Sequence, residues 1–76
     1  MLLYLRDIPI PSAGLRRGDL GAMVEIHLPE AFEIEFVAAT GHTHALVTLG
    51  VEHVRHIGGR DLIAVRSLEP DRANTA

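Results

Sequence analysis

Two closely spaced histidines are the side chains of this sequence most suited to chemistry. His42 and His44 flank one threonine, and residues two apart in a β-strand share a face, so the imidazoles can point the same way. Such pairs bind zinc, nickel or copper, but a catalytic zinc normally takes three protein ligands. We therefore expect no tight metal and no cofactor, with weak metal binding at His42 and His44 as the alternative.

Other catalytic arrangements are weaker. Glu33 and Glu35 lie two apart, where exposed carboxylates more often only keep a strand face solvated. The chain contains neither cysteine nor lysine, which excludes thiolate and Schiff-base catalysis. Ser12 and Ser67 stand in no nucleophile motif. We therefore predict that the protein is not an enzyme.

The segment GLRRGDLGAMVEI, at residues 14–26, contains the tripeptide Arg-Gly-Asp. A phosphate-binding loop needs a helix N-terminus after its glycines, and here a strand pattern follows. Gly18 and Asp19 are better explained as a corner, because glycine adopts positive φ without steric cost. Gly21, inside the strand pattern, indicates a bulge or a close approach of another part of the chain.

Alternating apolar residues predict a β-hairpin. Residues 20–28 and 32–38 both alternate with period two, and Pro29 and Glu30 separate them. One face of this hairpin is apolar and the other carries glutamates, as in an antiparallel sheet with one solvated side. The predicted core residues of the hairpin are Leu20, Val24, Ile26, Phe32, Ile34 and Phe36.

Short segments around the hairpin complete a predicted sheet. Residues 42–49 form a third strand, residues 51–57 form a strand or one helical turn, and residues 62–68 form a last strand. With Gly/Pro turns and no long helical pattern, five or six short strands predict an all-β barrel or curled sheet. The single domain spans residues 1–68, and residues 69–76 are a polar tail that we expect to be frayed.

Several linked motifs carry a family resemblance. Residues 14–26 resemble the first turn and second strand of SH3-like barrels, so we expect a small SH3-like antiparallel barrel. LRDIP at 5–9, GLRRGDLGAMVEI, FEIEFV at 32–37 and G-x-T-x-A-L-V-T-L at 41–49 resemble a family of short bacterial proteins, domain of unknown function number 4926. The resemblance covers residues 3–54 and implies no particular activity.

Outward-pointing apolar residues suggest a binding surface. By the alternation, Met23, Val37 and Leu46 point outward, and the two-sided apolar last strand adds Leu62 and Val65. Soluble monomers seldom expose a contiguous apolar patch, and an open barrel leaves strand edges that can pair with another chain. We therefore expect a protein-interaction module, either an adaptor or antidote-like partner or a homo-oligomer. Its last strand caps the patch or pairs with its mate.

A nucleic-acid-binding accessory protein, for RNA or DNA, is the alternative function. SH3-like barrels are common in ribosomal and transcription factors, an argument by fold analogy alone. The function would need clustered arginines, and the candidates are Arg16, Arg17, Arg55 and Arg60. The net charge of −3 weighs against it, because such proteins usually carry a basic surplus.

The chain shows no targeting or membrane segment. No basic region precedes the apolar N-terminal residues, and no stretch is long enough to cross a bilayer. We therefore expect a cytoplasmic protein without a membrane partner.

Overall fold

The structure, a computed structural model, describes residues 1–27 and 29–68. These residues form one five-stranded antiparallel sheet and two short 3₁₀ turns. The elements are β1 (Leu2–Leu5), η1 (Pro11–Ala13), β2 (Leu20–His27), β3 (Ala31–Val37), β4 (Thr43–Gly50), η2 (Val51–His53) and β5 (Val54–His56).

The strand order across the sheet is β4-β3-β2-β1-β5. Strands β2, β3 and β4 follow one another as a meander, and β5 returns to pair with the free side of β1. This all-β, barrel-like arrangement confirms the predicted fold class. In the part of the chain that the structure describes, no ladder joins β4 to β5, so the sheet is not closed and keeps two edges.

The predicted hairpin of β2 and β3 is confirmed, but a β-bulge at Val24 interrupts it. Met23, the last residue before the bulge, lies opposite Ile34. After the bulge, Glu25 lies opposite Glu33. One extra residue moves the following side chains to the other face of a strand, so a single uninterrupted alternation does not describe β2.

The bulge explains why the predictions for Leu20, Met23 and Val24 are wrong. Met23 packs against the core, so it does not point outward as predicted. Val24 is the bulged residue and is 50% exposed. Ile26 lies opposite Phe32, on the face predicted for it, but it is near the end of β2 and is 55% exposed. Leu20 is half-buried and lies opposite Tyr4, away from the core side of the sheet.

The core lies on one face of the sheet and is covered by the loop between β1 and β2. Ile34 and Phe36 are buried there as predicted, and Phe32 packs against them half-buried. The buried cluster consists of Leu3, Leu5, Leu15, Ile34, Phe36, Leu49 and Val54. It therefore draws on four strands and on one loop residue.

Gly21 lies where β2 passes directly under the core side chains of β3. A Cβ atom at this position would lie 2.5 Å from Cγ2 of Ile34 and 3.0 Å from Cε1 of Phe36. Of the two predicted explanations for this glycine, the close approach is correct. The bulge falls three residues later.

The predicted last strand at residues 62–68 is wrong, because residues 61–67 have no regular secondary structure. The free side of β1 is already occupied by β5. Residues 51–57 contain both of the predicted alternatives, since η2 leads directly into β5. The predicted tail at residues 69–76 lies outside the described residues.

Candidate interaction surface

The Arg-Gly-Asp tripeptide forms a corner that delivers the chain into β2. Gly18 has a φ of +93°, which a residue with a Cβ rarely adopts. The amide of Gly18 donates to the Leu5 carbonyl at 2.8 Å, and the amide of Leu5 donates to the Asp19 carbonyl at 3.0 Å. The Asp19 side chain accepts from the Arg16 amide at 2.7 Å, which closes the turn. The corner is thus tied to the end of β1.

Arg66, in the C-terminal part of the chain, forms an ion pair with the same aspartate. We call this ion pair the clasp. The Arg66 Nε donates to Asp19 Oδ1 at 2.8 Å and its Nη2 to Asp19 Oδ2 at 2.5 Å, a two-point contact between guanidinium and carboxylate. Nη2 also donates to the Gly14 carbonyl at 2.8 Å. One side chain therefore fastens the C-terminal segment to the loop between β1 and β2.

The environment of Asp19 favours its charged form. Burial of the carboxyl group opposes ionisation, but hydrogen bonds from the Arg66 side chain and the Arg16 amide, together with both guanidinium charges, outweigh it. The pKa of Asp19 therefore lies below its usual value. The hydrogen bond to Asp19 in turn raises the pKa of Arg66. The clasp is consequently an ion pair at neutral pH.

The C-terminal arm, defined here as residues 61–68, runs across the protein surface with its apolar side chains in water. Leu62 and Val65, both predicted surface residues, are each 96% exposed, and Ile63 is 64% exposed. Between the arm and the body lie two open grooves of about 340 and 390 Å³. Both grooves are bordered by Leu20, so the arm passes over Leu20 without sealing it.

The other predicted surface residues lie toward the β4 side of the sheet. Val37, at the end of β3, is 48% exposed, and Leu46 is 56% exposed. Leu46 stands opposite Glu35 on β3. Of the five predicted surface residues only Met23 is excluded, because it faces the core.

His42 and His44 do not form a pair of ligands. The ring of His42 bonds to the Thr40 hydroxyl at 3.0 Å. His44 is the extra residue of a second bulge, in β4, and its Nε2 lies 2.6 Å from the Ala13 carbonyl. The two imidazoles therefore contact different loops, and the shared face expected from their spacing is lost at the bulge.

A different set of ligand-type groups, not predicted from the sequence, meets on the outer face of the hairpin. One ligand atom from each of Glu25, His27 and Glu33 lies within 4.8 Å of the other two. Among the described residues this is the one group of three or more metal-ligating side chains. The signal in the sequence was Glu25-x-His27 on the face of the hairpin that also carries glutamates, and recognising it required knowing the register between β2 and β3.

The candidate arginines occupy separate elements. Arg16 and Arg17 belong to the corner, and Arg60 lies in the turn before the arm. The guanidinium of Arg55 on β5 lies 5.9 Å from the centre of the Tyr4 ring.

The family comparison supports the resemblance noted in the sequence. A family model described as "Domain of unknown function (DUF4926)" matches residues 5–56. The chain belongs to this family. No curated protein and no solved structure matches it. The DUF4926 match runs from the end of β1 through β5, so the arm that Arg66 clasps lies beyond the matched residues.

Membrane-spanning helices do not occur in the described residues of this DUF4926 chain. None of its helices has the length and apolarity needed to cross a bilayer.

Proposed function

We propose that this DUF4926 chain is a cytoplasmic bacterial protein-interaction module that self-associates through its C-terminal arm. The observation that carries the proposal is an apolar segment held at the surface by an ion pair. Arg66 fixes the arm to Asp19, yet Leu62 and Val65 are each 96% exposed. Solvent-exposed apolar side chains on a fixed segment are typical of contact sites.

The arm has the composition of a β-strand but lies outside the sheet. Its sequence LIAVRSL, residues 62–68, is rich in side chains that favour strands. None of these residues belongs to a ladder in the described sheet. Extended segments of this kind add to the sheet edge of another chain, where main-chain hydrogen bonds supply affinity and alternate side chains supply specificity.

A second copy of the chain offers a suitable edge. Within the described residues, strand β4 has β3 on one side and no strand on the other, and its eight residues contain no proline, arginine or carboxylate. Natural edge strands are usually protected by charge, proline or a bulge, and the bulge of β4 lies near its beginning, at His44. The seven residues 62–68 are one fewer than the eight of β4. Reciprocal pairing of arm and edge would make a closed two-fold dimer.

The charges give less support to nucleic-acid binding. Asp19 already neutralises Arg66. Glu25, Glu33 and Glu35 make the outer face of the hairpin acidic. Arg55 beside Tyr4 is one feature typical of nucleic-acid platforms, and the experiment below includes an oligonucleotide for that reason.

Light scattering on the full chain tests self-association. We expect the mean mass to rise from 8.3 kDa toward twice that value between micromolar and millimolar concentration. The double variant L62S/V65S changes two side chains that the fold does not bury, so it should stay folded and monomeric. Val24→Ser is the matched control, an exposed apolar residue away from the arm, and should associate like the wild type.

Two results would overturn the proposal. One is a wild-type chain that stays monomeric up to millimolar concentration, and the other is a double variant that associates as strongly as the wild type. Fluorescence anisotropy with a labelled oligonucleotide, at several salt concentrations, then decides whether the nucleic-acid alternative replaces it. All scattering samples contain EDTA, so that a metal ion does not link two chains.

A further inference from the structure

The outer face of the β2–β3 hairpin brings one imidazole and two carboxylates together. His27 Nε2 lies 3.1 Å from Glu33 Oε1 and 3.6 Å from Glu25 Oε2. Glu33 is partly shielded, with 24% of its side chain exposed, whereas Glu25 and His27 are more open, at 63% and 42%. The group is therefore accessible from solvent and anchored on two adjacent strands.

The bulge at Val24 creates this arrangement. Before the bulge, the register pairs Ala22 with Glu35. Continued without the bulge, that register would place Glu25 opposite Phe32. The extra residue instead places Glu25 opposite Glu33, with His27 two residues further on the same face. Bulges often re-aim side chains at functional positions.

The spacing of the donor atoms suits one small metal ion. Bonds of about 2.0–2.2 Å to nitrogen and oxygen in a tetrahedral site place two donor atoms about 3.4 Å apart. The two measured separations from His27 Nε2, 3.1 and 3.6 Å, lie on either side of that value. No large movement of either strand is needed to bring the three atoms onto a common ion.

The charges favour a cation at the same position. Two like charges directly opposite each other on an antiparallel pair destabilise a sheet, and Glu25 and Glu33 are such a pair. A divalent ion between them removes this repulsion. An imidazole combined with carboxylates favours zinc and its transition-metal neighbours, whereas magnesium prefers oxygen ligands alone.

We propose that Glu25, His27 and Glu33 form an exchangeable binding site for a divalent transition-metal ion of the zinc class. The chain supplies one nitrogen and two oxygen ligands, and water completes the coordination. The site does not depend on the arm and is separate from the proposed self-association.

Calorimetric titration of the full chain with Zn²⁺ tests the site. We expect one ion per chain, and a loss of affinity of at least tenfold in both His27→Gln and Glu33→Gln. The matched controls are His42→Gln, a histidine outside the group, and Glu35→Gln, a glutamate on the same strand and face. Both controls should bind within twofold of the wild type.

Four further measurements make the test more specific. Zn²⁺ should raise the melting temperature of the wild type by several degrees at saturation and leave His27→Gln unchanged. A hundredfold excess of Mg²⁺ should not displace Zn²⁺. Circular dichroism confirms that each variant is folded, and the Co²⁺ absorption spectrum of Glu33→Gln reports ligand loss independently of His27.

Several outcomes would overturn the assignment. They are the absence of saturable Zn²⁺ binding at about 100 µM, an effect of His42→Gln as large as that of His27→Gln, and equal competition by Mg²⁺. The last result would mean that the hairpin face is only an acidic patch. Without zinc affinity, Glu25, His27 and Glu33 would be an ordinary surface contact between one histidine and two glutamates.

Discussion

At the scale of single residues, the Asp19 side chain connects two distant parts of the chain. It accepts from the Arg16 amide within its own turn and from the guanidinium of Arg66, 47 positions away. Loss of this carboxylate would therefore loosen both the corner before β2 and the C-terminal arm. The Arg-Gly-Asp tripeptide is thus explained by local folding.

The stability of the clasp should depend on pH in a defined direction. Because the pKa of Asp19 is lowered in the folded state, its contribution is complete above the pKa of an unfolded aspartate, about 3.9. It is lost as the pH falls through the lower, folded value. We expect Asp19→Asn to lack this component when unfolding free energies are compared between pH 7 and pH 2. Equal acid dependence in the variant and the wild type would contradict the account.

Phe36 tests the position of the core. It is 3% exposed and belongs to the buried cluster, so Phe36→Ala should destabilise the fold by about 3–5 kcal/mol. Val24→Ala, at a position predicted to be core but 50% exposed, should cost no more than about 1 kcal/mol. Urea denaturation measures both changes. Equal losses of unfolding free energy in the two variants would mean that Val24 lies in the core, as the uninterrupted alternation predicts.

At the scale of elements, the hairpin and the third strand were predictable from the sequence, whereas the bulges were not and the strand predicted at residues 62–68 is wrong. The alternation around Pro29 and Glu30 predicts the hairpin, because a two-residue period is a direct consequence of strand geometry. The bulges at Val24 and His44 leave no mark in composition. They depend on how β3 pairs with its two neighbours, and they decide which side chains meet.

The candidate sites, like the strands, were only partly predictable from the sequence. His42 and His44 have a spacing that predicts a shared face, and the bulge separates their contacts. The alternation predicts that Glu25 and Glu33 share the polar face of the hairpin, but only the register of the folded sheet shows that they lie directly opposite each other. Leu62 and Val65, predicted as surface residues of a last strand, are exposed on a segment without regular secondary structure. The contact between Arg66 and Asp19 that holds this segment is long-range, and no local pattern indicates it.

The close approach at Gly21 predicts a specific sensitivity of β2. Gly21→Ala places a methyl group 2.5 Å from Cγ2 of Ile34, and overpacking of this kind costs about 1–3 kcal/mol. Gly59→Ala is the matched control, since a Cβ atom there meets nothing within 4 Å. Thermal melts should separate the two variants. A Gly21→Ala protein as stable as the control would show that β2 and β3 are not packed this closely.

At the scale of the whole molecule, the core is small and covers only one face of an open sheet. Seven residues form the buried cluster, and domains of this size have little stability to spare. Pairing the arm of one chain with β4 of another would cover an exposed edge and exposed apolar side chains at once. Association would therefore add to stability, and the melting temperature should rise with protein concentration.

Hydrogen exchange at residue resolution tests the central claim, that the arm pairs with β4 of a second copy, most directly. In a monomer the backbone amides of residues 62–65 lie outside the sheet and are expected to exchange rapidly. The account predicts that these amides and the outward-facing amides of β4 become protected together as the concentration rises from micromolar to millimolar. Unchanged rapid exchange of the arm over that range, or protection of the arm without β4, would contradict it.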